Sequence, residues 1–359
     1  MKTLLLVFGV LLLAVTPLLA QDEIQPWTCP EGFAGQRLSV YNWSTYIAED
    51  TVANFEAACG VTVVYDVYEN NEALIARLRQ GNPGYDIIVP TDYAVEILHN
   101  EGLLLELDHS LIPNLVNVSP ELLDLPFDPG NRYSVPYQWG TVGVGYRTAA
   151  FPEPITSWEQ VWNYAGPVAW LDDPRVMLGI ALNILGYDVN TTDPNEIAEA
   201  RDYLIERGGN VVAIAGDDGQ ARLQRGEVDI AVEYNGDIFQ LMAESEPGEY
   251  AYVIPVEGTQ QWMDNMAIPV GAPNPELAHV FIDYILDPQV GADISNYTAY
   301  GSPNQAAIDA GLIDEELLEN PGIYPPAEIR EVLFSIVAVP EAEVDYLSAW
   351  DEIKVSLGA

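Results

Sequence analysis

The sequence predicts an α/β protein of two lobes, each a mainly parallel sheet flanked by helices, and three observations carry that expectation. Its 359 residues exceed the usual size of one domain. From Leu38 onward, short β-rich runs alternate with helical segments, the order that builds parallel sheets covered by helices. No low-complexity tract, internal repeat or long linker divides the chain, so crossing strands rather than a tether must join the lobes.

Residues 38–41 read as the first strand, and residues 50–58 as a helix that Asp50 can cap and Gly60 can end. Residues 61–65 form the next strand, followed by a helix over 71–80 stopped at Gly81. A third strand covers 86–90, and Asp92 caps a helix ending at Gly102. Sheets of this βαβαβα kind bind ligands beyond the carboxyl ends of their strands, which points to residues 42–46 and 91–93. The aromatic, glycine-containing stretch 133–140 leads into a strand over 142–146, read as the first crossing between lobes. A capping box at Thr156-Ser157-Trp158-Glu159 opens the second lobe. Asp173-Pro174, Asp193-Pro194 and Asn274-Pro275 start helices, proline suiting the first helical position. Residues 228–233 form a strand that delivers Tyr234-Asn235-Gly236-Asp237 at its end.

The amino terminus has one lysine, an apolar run over 4–19 and then Ala20-Gln21-Asp22-Glu23, the layout of a secretory signal peptide over 1–20. An uncleaved anchor is the alternative, because the run approaches spanning length. Export places Cys29 and Cys59, the only cysteines, in an oxidising compartment where an even count usually pairs. The closed loop of about 30 residues would stabilise the fold by roughly 3 kcal/mol on the chain-entropy model.

Acidic residues number 55 against 13 basic ones, a net charge of −42. Such a field repels phosphate backbones and anionic lipid, so nucleic acid is excluded as a partner. Solubility outside the cell or a salty habitat explains the charge better than a cationic ligand does, although the charge is compatible with one. Catalytic motifs are missing: His99, His109 and His279 lie in no metal or nucleophile spacing, the first and last falling in helices expected at the surface. No phosphate loop or Gly-x-Ser-x-Gly occurs, no cofactor or metal is implied, and an enzyme would have to work with carboxylates alone, as glycosidases do.

What recurs is an aromatic beside a polar or acidic residue at expected strand ends: Trp43 with Tyr46, Thr91 with Tyr93, Tyr234 with Asp237, Trp262 with Asp264. Ring faces hold methylene chains and attract ammonium groups, and a carboxylate supplies the partner that a desolvated ammonium requires. Together they describe a box for an organic cation. Each also has a structural reading: rings at strand ends pack cores, and Asp173 before Pro174 is an ideal helix cap.

The strings Tyr41-Asn42-Trp43-Ser44-Thr45-Tyr46, Tyr85-Asp86-Ile87-Ile88-Val89-Pro90, Trp262-Met263-Asp264 and especially residues 126–141 resemble the spermidine/putrescine-binding proteins of ABC importers, over nearly the whole mature chain. The resemblance implies a two-lobed periplasmic-binding-protein fold of type II kind, with residues 36–139 and 265–308 in one lobe and 140–264 and 309–359 in the other. It implies a monomer outside the cytoplasmic membrane, in the periplasm or beyond, that closes on a polyamine and docks on a membrane permease. By the same matching Trp43 and Tyr46 line one wall, Thr91 and Tyr93 contact the ligand, and Asp173 faces it from the second lobe. Tyr234 and Trp262 would sandwich its methylene chain, Asp264 and Asp237 would pair with an ammonium, and Tyr300 would approach from the closing segment. Two positions depart from the family: Thr45 and Val176 stand where acids are usual. Either another acid substitutes nearby, or the ligand is shorter, singly charged or a different solute of the same fold.

Overall fold

The computed structural model describes residues 26–216 and 218–358; the expected signal peptide lies outside the described residues. The chain runs through β1 (Arg37–Asn42), α1 (Thr51–Cys59), β2 (Thr62–Val67), α2 (Asn71–Arg79), β3 (Ile87–Ile88) and α3 (Asp92–Asn100) before the long strand β4 (Ser134–Arg147). There follow α4 (Trp158–Trp162), β5 (Val168–Leu171), α5 (Pro174–Leu185), α6 (Pro194–Arg207), β6 (Val211–Ala215), α7 (Gly219–Arg225), β7 (Ile230–Tyr234), α8 (Asn235–Ala243) and β8 (Tyr250–Val253). Strand β9 (Gln261–Ala267) returns, and α9 (Pro275–Ile285), α10 (Pro288–Thr298) and a C-terminal helix (Glu343–Leu357) complete the main elements.

The strand order is β2-β1-β3-β9-β4-β7-β5-β6, with β8 also on β4. Two parallel cores, β2-β1-β3 and β7-β5-β6, therefore lie at the two ends of this path. Between them β9 and β4 are antiparallel, and β4 changes partner midway. Its residues Ser134 to Thr141 pair with β9, whereas Val142 to Tyr146 pair with β7 and the same half also carries β8. A strand shared in this way is the crossing that the absence of a linker demanded. It is buried along almost its whole length, which is why it reads as a continuous apolar and glycine run without alternation.

Local signals mostly act where expected, with four physical differences. Gly60 ends α1 in the left-handed region (φ 66°), but Asp50 makes no side-chain cap there. Helix α3 is preceded by Thr91, not capped by Asp92; the hydroxyl of Thr91 turns to Asp264 instead of to the helix. The cap of α4 is Ser157, which accepts from the amide of Glu159, while the amide of Thr156 donates to Gln160. His279 is buried rather than exposed: its Nε2 accepts from the amide of Asp108 at 3.0 Å and its Nδ1 donates to the carbonyl of Pro275 at 2.7 Å.

Cys29 and Cys59 are joined by a disulfide that ties the N-terminal segment to the end of α1. The C-terminal helix packs on α5 and α6, with the Tyr346 hydroxyl reaching the carbonyls of Val189 and Thr191, and Trp350 donating to Asp172 at 2.6 Å. No helix of the described residues is long and apolar enough to cross a membrane.

Candidate binding site

A cavity lies where the two parallel cores face each other. Its walls come from strand ends. Trp43, Ser44 and Tyr46 follow β1; Thr91 and Tyr93 follow β3; Tyr234 and Asp237 join β7 to α8. Asp173 stands between β5 and α5, Trp262 and Asp264 lie on β9, and Tyr300 follows α10. The structure thus gathers all ten residues singled out in the sequence. It adds Ser44, Asn71 and Gln260. Ser44 sits inside the first aromatic motif, and Gln260 precedes Gln261-Trp262, so proximity in sequence was a signal for both. Asn71 gave none, because it reaches the cavity from the start of α2.

Two carboxylates are held by hydroxyls. Thr91 donates to Asp264 Oδ1 at 2.6 Å and accepts from the side-chain amide of Asn71 at 2.9 Å, a relay that explains why Asn71 is there. Asp237 accepts from Thr45 at 2.6 Å on one oxygen and from Tyr300 at 2.6 Å on the other. Thr45 therefore faces a carboxylate. An acid at this position would put a like charge against the buried Asp237, so a hydroxyl at position 45 and an acid at 237 suit each other. Both donors hang on unusual backbone: Thr45 itself has φ 48°, and Ala299, immediately before Tyr300, has φ 57°. Left-handed conformations of non-glycine residues cost on the order of 1–3 kcal/mol and persist where their surroundings impose them.

Aromatic rings fill the remaining wall. Tyr46 and Tyr300 meet edge to face with centroids 5.0 Å apart, and Trp262 lies 5.3 Å from Tyr300. Trp43, anchored by its indole N–H on the carbonyl of Val89 at 3.0 Å, points an edge at Tyr234 from 6.1 Å. Tyr234 and Trp262, the rings expected to hold a methylene chain between them, meet at a corner. Their planes stand at 88° with centroids 5.8 Å apart, a corner that presents one face and one edge. Two glycines make this packing possible: a Cβ on Gly236 would lie 2.4 Å from the Tyr300 ring, and one on Gly140 would lie 2.7 Å from Trp262. The cavity is thus an aromatic corner with acids set into it.

The acids are desolvated. Asp237 is 3% exposed and Asp264 4% exposed, so neither carboxylate can rely on water for its charge. Burial raises Asp237 to about 6, against the lowering effect of the Thr45 and Tyr300 hydroxyls. Burial likewise raises Asp173, whose Oδ1 accepts the amide of Val176 at 2.9 Å as the cap of α5. Gln260 Oε1 is buried with no hydrogen-bond partner among the described residues, an acceptor available to a donor in the cavity. Such a place suits a cation with several N–H donors and an apolar body.

Two α/β lobes joined by crossing strands, with a buried cavity at facing strand ends, define a solute-binding protein. The chain matches the family of bacterial extracellular solute-binding proteins over residues 50–323. It is 35% identical to the putrescine-binding periplasmic protein PotF of Escherichia coli, over 88% of this chain and 91% of that one. It is 37% identical to a spermidine/putrescine-binding periplasmic protein of Salmonella typhimurium, over 81% and 84% of the respective chains. Among solved structures, the spermidine/putrescine ABC transporter substrate-binding protein PotD of Streptococcus pneumoniae matches with a TM-score of 0.74 at 32% identity, covering 90% of this chain and 100% of that one. This chain belongs to the bacterial extracellular solute-binding protein family.

Proposed function

We propose that the protein captures a polyamine of the putrescine or spermidine kind outside the cytoplasmic membrane and hands it to the permease of an ABC importer. The observation that carries this reading is the pairing of desolvated carboxylates, Asp237 and Asp264, with the aromatic corner of Tyr46, Tyr234, Trp262 and Tyr300 in one cavity. An ammonium there gains charge-assisted hydrogen bonds and ring faces, while methylene groups lie on apolar surface. The names of the relatives support the same chemistry. In this reading residues 36–139 with 265–308 and residues 140–264 with 309–359 move as two bodies about β4 and β9, and the protein works as an exported monomer.

Calorimetric titration with putrescine, spermidine and the neutral butane-1,4-diol tests the reading. Saturable binding of an amine and none of the diol is expected. Asp264→Asn keeps the size of the side chain but removes its charge, and is expected to cost about 2–5 kcal/mol of amine affinity, as loss of one partner of a desolvated pair does. Undiminished amine affinity in D264N, or equal binding of diol and diamine, would refute it.

A further inference from the structure

The main cavity is not the whole of the space between the two cores. Behind Tyr93, which lines both, lies a second cavity of about 210 Å³, room for a small organic molecule rather than for one or two waters. Helices α2 and α3 supply one side of it, and the start of α5 with the C-terminal helix supplies the other. Much of its lining is apolar, with Ile75, Ile97, Val339, Pro340 and Leu347 among it. Of its charged side chains, Arg79 and Glu343 answer each other in an ion pair at 2.8 Å.

Arg175, which also lines this cavity, is not answered in that way. It is 6% exposed and stands in the first turn of α5, where the helix dipole disfavours a positive charge. Its guanidinium donates to the carbonyl of Val337 at 3.2 Å and to Asn190 Oδ1 at 3.0 Å, and it lies 4.4 Å over the Tyr346 ring. All of these partners are neutral. Arg175 takes part in none of the ion pairs among the described residues, and its Nε is buried there with no hydrogen-bond partner. Two acids stand nearby without pairing with it. Asp173 lines the main cavity and gives Oδ1 to the amide of Val176. Glu72 accepts the Tyr93 hydroxyl on Oε1 at 3.2 Å, and its Oε2 is buried with no partner among the described residues. Burial first, and then repulsion by Asp173, push Glu72 up to about 8, so near neutral pH it holds a proton and offers an O–H. A chain with a net charge of −42 thus keeps a buried guanidinium without an anion.

We propose that this second cavity is a separate binding site for a small carboxylate with an apolar body, its carboxylate held by Arg175 Nε and the Glu72 carboxyl and its chain lying on the apolar lining. A carboxylate accepts from both unpartnered groups and brings the charge that the guanidinium lacks, in a place where a bare charge is costly. Its alkyl chain covers Ile75, Ile97 and Leu347. A phosphate would bring more oxygens than the two free donors can satisfy, and an amine would meet a positive charge. The site stands apart from the amine reading, because neither Arg175 nor Glu72 lines the main cavity. Its walls belong to both cores, so an occupant touches both at once.

Titration calorimetry on the whole protein at pH 7 with hexanoate, and with hexan-1-ol and hexan-1-amine as bodies of the same length without the negative charge, tests the inference. Hexanoate should bind saturably at one site, and the alcohol and the amine about tenfold more weakly or worse. Arg175→Gln removes the charge but keeps an amide that can reach Val337 or Asn190, and is expected to weaken hexanoate by about tenfold or more. Ala76→Trp gives an independent readout, since Ala76 is an exposed residue of α2 that lines the second cavity and not the main one. The indole fills the space and leaves Arg175 in place, so A76W should also cost hexanoate about tenfold or more, whether or not R175Q folds. No saturable binding of hexanoate to wild type by about 10 mM would overturn the site. So would binding of the alcohol or the amine as tightly as the acid, or hexanoate affinity unchanged in A76W. None of these outcomes depends on what the main cavity takes.

Discussion

Asp237 and Asp173 face the same cavity, both are buried, and burial raises both carboxyls to about 6. Each also stands at the start of a helix, Asp237 in the first turn of α8 and Asp173 just before α5. What holds them differs. Asp237 accepts two hydroxyls, from Thr45 and Tyr300, which belong to other elements. Asp173 accepts the amide of Val176 in its own helix. A hydroxyl rotates away at little cost, whereas a capping amide leaves only if the helix end opens. Asp237 can therefore exchange partners when a cation arrives, and Asp173 is fixed before it comes. Similar titration thus conceals one adaptable acid and one rigid acid.

Stability against pH should expose what the two share. A carboxyl raised from its ordinary value near 3.8 to about 6 holds its proton more tightly in the folded protein than in the unfolded chain. Folding stability then falls as pH rises through that window and stays lower above it, by about 3 kcal/mol for one such group at roughly 1.4 kcal/mol per unit. Thermal unfolding of the free protein should show this decline from pH 4 to 6, and both D237N and D173N should flatten it. A midpoint that is flat in wild type, or a slope untouched by either change, would mean that these acids are better solvated than their burial indicates.

The difference between them should appear on removing a hydroxyl. Thr45→Val keeps the β-branched shape on the same backbone and deletes the donor to Asp237. It should cost about 2 kcal/mol at pH 8, where the lost bond is to a charged acceptor, and distinctly less at pH 4. Chemical denaturation at the two pH values measures this; equal costs would assign Thr45 a purely steric role. The smallest effect belongs to the capping acid. At pH 4, where burial keeps Asp173 protonated, D173A should lose about 1 kcal/mol and D173N only a few tenths, because asparagine caps as well as aspartate. Equal losses for the two variants would show that the bond to the Val176 amide contributes nothing to the helix start.

Much of this site was legible because α/β sheets bring their strand ends together. Trp43, Thr91, Tyr234 and Asp237 each follow a β-rich run closely, so their convergence follows from the alternation of strands and helices. Other features left no local trace. Asn71 and Glu72 begin a helix like many polar residues, and only the position of α2 beside α3 brings them to Thr91 and Tyr93. The perpendicular setting of Tyr234 and Trp262 depends on how β7 and β9 flank β4, which no spacing reveals. His279 has the spacing of a surface position but is buried beneath the loop that carries Asp108.

By itself the sequence determined the α/β class, the crossing without a linker, the cysteine pair and the residue types that surround the cavity. These follow from periodicity, from cap and turn chemistry, and from the small number of ways to bury apolar faces. Which acid faces which donor was decided only by the tertiary structure. Thr45 and Asp237 lie 192 residues apart, and their 2.6 Å bond exists because the strand order sets the end of β1 against the start of α8. Pairings across that distance are fixed by register and packing, where a shift of one residue turns every side chain of a strand to the opposite face.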